Sequence, residues 1–272
     1  LARSLAELGI LESAEGEHAR AEALYRESLE IHRRRGSPGG VAVGLNNLAS
    51  TRAARGDLEG AEALLREALS INRDVYGPRH PRVALNLSNI AFYLRRQGRH
   101  REALAYLREA LSIDREVYGD AHPTVGRLLL IEGIALQQMG DLEGAEASYT
   151  EALPKLMREI PEESALIADA RLGLGQLRVR QGRWAEGEEL LRQSLERHRE
   201  LFQSRSYRTG RVLLWLGRAL AGQGRTEEAI VLWREGLPLM RPGADADFIE
   251  SFRSELAAAG SPAGAGPDGE TR

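Results

Sequence analysis

The feature that most constrains this chain is a glycine that returns at a nearly fixed spacing. Gly16, Gly56, Gly98, Gly140, Gly182 and Gly224 are separated by 40, 42, 42, 42 and 42 residues. A period of this size marks a stacked repeat, in which one supersecondary unit buries its apolar face only against its neighbours. Each repeat reads as two helices. In the third, His80-Pro81 opens a first helix, with Pro in the first turn where its missing N–H costs nothing. Leu85, Leu87, Ile90, Ala91 and Leu94 follow at helical spacing. Gly98 supplies the left-handed residue that ends the helix. A second helix carries Ala103, Leu104, Leu107, Ala110, Leu111 and Ile113 and runs to Tyr118-Gly119; His122-Pro123 then starts the next repeat.

Alignment on the turn glycines gives three columns of small residues. Seven before the turn stand Gly9, Ala49, Ala91, Gly133, Gly175 and Gly217; five after it stand Ala21, Ala61, Ala103, Ala145, Gly187 and Ala229. Twelve after it stand Ser28, Ala68, Ala110, Ala152, Ser194 and Gly236. Small residues let two helices approach closely, so these columns are expected at helix–helix contacts. A leucine column thirteen after the turn (Leu29, Leu69, Leu111, Leu153, Leu195, Leu237) is expected to fill the space between repeats.

This pattern resembles the tetratricopeptide repeat. The period, the run Leu69-Ser-Ile-Asn-Arg-Asp-Val-Tyr-Gly-Pro-Arg-His-Pro81 and the run Leu45-Asn46-Asn47-Leu48-Ala49 are similar to the 42-residue variety found in kinesin light chains. The resemblance spans residues 1–240 or so and implies an all-α, right-handed solenoid of six helical hairpins over 1–243. A capping helix is expected over 244–259, where Phe248, Ile249, Phe252 and Leu256 share one face, followed by a disordered tail over 260–272 rich in Gly, Pro and Ala.

Several stretches depart from the pattern. The first linker, Arg33 to Gly40, is two residues short and glycine-rich, and is expected to loosen the first repeat. The fourth linker has Pro161-Glu162-Glu163 and the fifth Gln203-Ser204-Arg205-Ser206 in place of Gly and His-Pro. Pro154 and Pro238 fall inside second helices, where each is expected to kink or end its helix.

Composition narrows the function classes. The net charge of -3 disfavours nucleic acid as a bulk ligand, and no apolar run approaches the length of a membrane span. The absence of cysteine excludes disulfides and thiolate chemistry. Lys155 is the single lysine; with abundant Ala, Gly and Arg this suggests a GC-rich bacterial genome, and a cytoplasmic location is expected. Leu1 already lies in a helical pattern, so a longer parent chain is expected.

No catalytic, metal-binding or cofactor-binding set is legible. His80 and His122 lie one repeat apart, each before a Pro, and read as helix starts rather than metal ligands. Glu132 sits in a column otherwise filled by Leu and Ile. A carboxylate there needs a partner, with Arg171 one candidate.

The resemblance implies a concave groove lined by the first helices, at columns thirteen, ten, nine, six, three and two before the turn. The peptide-binding residues it implies are Asn46, Asn47 and Ser50; Leu85, Asn89, Phe92, Arg95 and Arg96; Arg127, Leu130, Ile134 and Gln137; Gln176 and Arg180; and Arg211, Trp215 and Arg218. Asn47 and Asn89 occupy a column where the family often places an amide that bonds a peptide backbone; the alternative is a polar residue tolerated on a wet face. Arginines around an apolar centre suit an acidic peptide with a bulky apolar anchor. Only Arg218 matches the terminal-carboxylate clamp of chaperone-binding relatives, so that clamp is not expected. The expected function is a non-catalytic scaffold for a protein or peptide partner. The alternative is a regulatory or sensor arm of a larger bacterial enzyme or signalling protein.

Overall fold

The structure, a computed structural model, describes residues 1–159, 161, 164–201, 206–241, 243 and 245–260. Among the described residues there are thirteen α-helices and no strand. They are α1 (Ala2–Ala14), α2 (His18–Arg34), α3 (Pro38–Ala54), α4 (Leu58–Tyr76), α5 (Pro81–Arg96), α6 (His100–Tyr118), α7 (Pro123–Gln138), α8 (Leu142–Glu159), α9 (Ala165–Arg180), α10 (Trp184–Leu201), α11 (Tyr207–Gly222), α12 (Thr226–Gly236) and α13 (Ala246–Gly260). Consecutive helices pack as hairpins, six in all, with α13 closing the last. The chain divides into two compact units, Leu1–Lys155 and Leu156–Arg272.

Each hairpin turns on its repeating glycine. All six have φ between 74° and 92°, the left-handed region that a side chain disfavours. At each turn the next residue's N–H bonds the carbonyl five residues back, as Asp57 does to Arg52 and Arg99 to Leu94, which satisfies the helix end.

The three small-residue columns are buried without exception. They let the two helices of a hairpin touch, and in the column seven before the turn the residue is sized to what faces it, except at Gly175, which faces Leu191. A Cβ at Gly9 or Gly133 would lie 2.7 Å from the ring of Tyr25 or Tyr149, and one at Gly217 would run into the Trp233 indole. Where the column carries alanine instead, at Ala49 and Ala91, the residue sixteen positions on is the smaller Leu65 or Leu107. The leucine column is buried at Leu29, Leu69, Leu111 and Leu195 but only half-buried at Leu153 and Leu237, each of which precedes a proline.

The two prolines act differently. Pro238 ends α12 at Gly236 and passes the chain into the 3-10 turn Leu237–Leu239. Pro154, in contrast, lies inside α8, which continues to Glu159.

In the first unit a core of Ala21, Tyr25, Leu29, Val41, Ala42, Leu45, Leu48 and Ala68 runs through α2, α3 and α4. The short, glycine-rich first linker therefore does not interrupt packing between the first two repeats, contrary to the loosening expected there. In the second unit Phe252 of α13 is fully buried against Leu214, Leu220, Ala229, Trp233 and Met240. That contact gives α13 the capping role its apolar face predicts. Residues 261–272, where a disordered tail is expected, and parts of the fourth and fifth linkers lie outside the described residues.

Candidate interaction surface

Positions thirteen, nine and six before each turn are spaced i, i+4 and i+7, so they share one helix face. In the first unit four helices present this face, α1 with Arg3, Glu7 and Ile10 and three more. α3 shows Val43, Asn47 and Ser50; α5 shows Leu85, Asn89 and Phe92; α7 shows Arg127, Ile131 and Ile134. Val43, Leu85 and Phe92 are 44%, 47% and 39% exposed, whereas neighbouring Leu45, Leu87 and Ile90 are 0% exposed. Large apolar side chains are left in solvent on this stripe while the opposite faces are closed.

Phe92 carries a cationic rim. The Arg95 and Arg96 guanidinium groups stand 5.7 and 6.0 Å from its ring centre, within cation–π range. Arg95 also donates to the Gln138 side chain at 3.3 Å, linking α5 to α7. Arg127 stands near Asp114, a buried carboxylate of α6. Burial pushes the Asp114 carboxyl above its usual range, against the opposing pull of a Thr124 hydrogen bond and of the Arg127 and His122 charges.

Some residues expected in the groove are structural. Asn46 accepts from Asn86 at 3.0 Å and Asn89 at 3.4 Å, and donates to the Ala42 carbonyl at 2.8 Å. Buried Asn72 extends this amide ladder by donating to Asn86. Asn46 is therefore engaged within the fold, while Asn47 carries no internal side-chain bond among the described residues. Leu130 is 3% exposed and belongs to the core, too deep to serve as an anchor. Gln137 accepts from the buried Tyr149 hydroxyl at 2.8 Å.

The second unit is closed at the equivalent face. Gln176 is 5% and Trp215 7% exposed. Arg180 and Arg218 stand 5.1 and 4.6 Å from the Trp215 ring. Arg218 also pairs with Glu255 of α13 at 2.6 Å, and Arg211 lies 5.1 Å over Phe248 of the same helix. These cations serve the capping helix and the Trp215 ring, so they do not form the open basic floor expected from the sequence. Asp169 is bound too, 3.3 Å from both buried His198 and Arg208.

Glu132, 8% exposed, meets Arg108 of α6 at 3.3 Å and the Ser148 hydroxyl of α8 at 3.4 Å. Both partners are its neighbours in space within the first unit. His80 and His122 cap α5 and α7, their Nδ1 atoms accepting from the Arg82 and Thr124 amides, and their rings stack on Tyr76 and Tyr118 at 4.7 and 4.6 Å.

One device escapes a column-by-column reading for apolar residues. Glu22, Glu62 and Glu188, each six after its turn, are buried and pair with an arginine one helical turn on and with another at the next repeat's turn. Burial raises the Glu188 carboxyl, but hydrogen bonds from Gln223 and Arg225 outweigh it and hold it below the usual range. The recurrence of Glu at this offset is the signal that could have revealed it.

A tetratricopeptide repeat model matches residues 40–116, 82–156 and 166–241, and a second such model matches residues 1–35. The chain belongs to the tetratricopeptide repeat family. Tetratricopeptide arrays are protein–protein interaction scaffolds. Among solved structures, the fold is similar to BtubC (BKLC) from P. vanneervenii, at 21% identity and a TM-score of 0.66 over 94% of this chain and 97% of that one. It is also similar to a putative Podosopora anserina kinesin light chain with nearly identical repeats, at 18% identity and a TM-score of 0.61 over 74% of this chain and 95% of that one. A third is a signal transduction ATPase with numerous domains and a tetratricopeptide repeat sensor from Pyrococcus horikoshii. It matches at 18% identity and a TM-score of 0.73, over 95% of this chain but 38% of that one. No curated protein matches the tetratricopeptide chain in sequence. Among its described residues no helix is long and apolar enough to cross a membrane.

Proposed function

We propose that this tetratricopeptide chain is a non-catalytic scaffold that binds a peptide segment along the α3, α5 and α7 face of its first unit. The observation that carries this reading is the exposure of Leu85 and Phe92, with half-buried Asn89 between them, on a helix whose other large apolar residues are buried. Val43 and Asn47 continue the pattern on α3. An amide both donates and accepts, which matches a peptide group, and exposed apolar side chains flanking it supply anchor energy. Arg95, Arg96 and Arg127 favour an acidic ligand. Ser50 and Ile134 line the same face, Gln137 stands at its edge held by the Tyr149 hydroxyl, and Asn46 and Leu130 support it from beneath. In the second unit Arg180, Arg211, Trp215 and Arg218, with buried Gln176, form a closed face and take a smaller part.

The test is selection of random peptides displayed on phage against the purified chain. Enrichment of sequences that pair Asp or Glu with a bulky apolar residue, and loss of their binding in Asn47→Ala/Asn89→Ala, is the expected result. Selected peptides that bind the double variant unchanged would sink the reading.

A second reading, a sensor arm of a larger signalling protein, is favoured by the Pyrococcus horikoshii ATPase, in which repeats of this fold are described as a sensor. The uninterrupted reading frame around the gene segment decides it: an ATPase or other catalytic domain in the same frame supports the arm.

A further inference from the structure

The first unit contains a hollow of about 510 Å³ where the α2–α3 linker meets α3, the end of α4 and the start of α5. Its polar lining includes Arg3, His32, Tyr76 and Arg82, and no carboxylate lines it, in a chain of net charge -3. Arg82 lies 5.1 Å over the Tyr76 ring and has no acidic partner among the described residues. Arg3 pairs with Glu7 on its own helix at 2.9 Å, outside the hollow.

At its rim, Gly39 and Gly40 stand where later repeats have Pro81-Arg82 and Pro123-Thr124, and so leave room for the side chains packed on them. A Cβ at Gly39 would collide with the Tyr76 hydroxyl, and one at Gly40 with the His32 Nδ1. Two polar atoms from different helices thus converge on one helical turn. That turn is also uncapped. The residues opening α5, α7, α9 and α11 each accept a backbone N–H through the side chain, but Ser37, opening α3, does not. The hollow also touches Val43 and Asn47 of the proposed binding face.

We infer that this hollow holds the carboxylate of an aspartate or glutamate side chain of the bound peptide, with Arg82, His32 and the Tyr76 hydroxyl as its partners. The inference rests on the proposed peptide-binding reading and names the chemistry of one end of that ligand. Apolar Val43 and Val75 beside the cationic groups suit a carboxylate flanked by an apolar residue.

The probes are N-acetyl-Leu-Glu-Leu-amide, its Gln counterpart and inorganic phosphate, titrated against the full chain by NMR with the Gly39 and Gly40 amides as reporters. The Glu peptide is expected to shift both amides at least about tenfold more tightly than the Gln peptide, the worth of one charge-assisted contact. Ser37→Asp places a carboxylate in the cap position, where Asp57 and Asp141 already accept from Gly60 and Gly144. That variant is expected to melt no lower than wild type and to lose the Glu peptide. Arg82→Gln is expected to weaken it about tenfold with the fold intact. Equal response to Glu and Gln, tighter binding of phosphate than of the Glu peptide, or full affinity in Ser37→Asp would overturn the inference. A Glu response that survives Phe92→Glu, together with selected peptides indifferent to Asn47 and Asn89, would leave the hollow standing and remove the groove reading instead.

Discussion

Close packing at the hairpin contacts is set one side chain at a time. Gly133 is glycine because Tyr149 fills the space a methyl would take, at 2.7 Å. Gly133→Ala is expected to cost about 1–3 kcal/mol through overpacking. Adding Tyr149→Leu should recover much of it, since Ala with Leu is the combination at Ala49 and Leu65. Urea denaturation of the two single variants and the double variant measures the coupling. Asp114 offers a second test at this scale. Burial raises its carboxyl pKa in the fold, so it favours the folded state most when protonated. Its contribution is full below the ordinary carboxyl range near ~4 and is lost as pH rises through the raised value. Asp114→Asn, matching Asn72 one repeat earlier, should therefore raise stability at neutral pH. Its advantage should shrink as the solution is acidified, as melting temperature against pH will show.

The elements are joined by two kinds of device, and both recur by register. The first is the capped helix start. His122 both accepts the Thr124 amide and stacks on Tyr118, so α7 is fixed to the end of α6. His122→Ala is expected to destabilise by about 0.5–2 kcal/mol, with His122→Asn restoring the cap share alone; chemical denaturation separates the two. The second is the buried glutamate that bridges two turns. Glu62 meets Arg66 at 2.9 Å and Arg99 at 2.7 Å. Its arginines are partly solvated, so most of the cost of Glu62→Ala should come from the lost packing and hydrogen bonds rather than from charge.

At the scale of the molecule, the fold was legible because repetition multiplies a weak signal. One glycine predicts little, but six in register, with three small columns, specify the hairpin array. The site was legible only in part. Helical spacing put Leu85, Asn89 and Phe92 on one face, yet exposure along that face depends on what packs above it, and this differs between repeats. Leu130 is core, and Asn46 is engaged by a neighbour forty residues away. Trp215 is sheathed by arginines, two of the nearby cations being held by α13, whose contacts no repeat column encodes. The proposed peptide face therefore lies in the first unit. The direct measurement is the dissociation constant of a phage-selected peptide for wild type, Phe92→Glu, Asn47→Ala/Asn89→Ala and Val231→Glu. Val231 is 64% exposed in the second unit and serves as the control. Binding through the α3, α5 and α7 face predicts a loss of about tenfold or more in the first two variants and none in the third. Unchanged affinity in Phe92→Glu and in the double variant, or a loss confined to Val231→Glu, would contradict it.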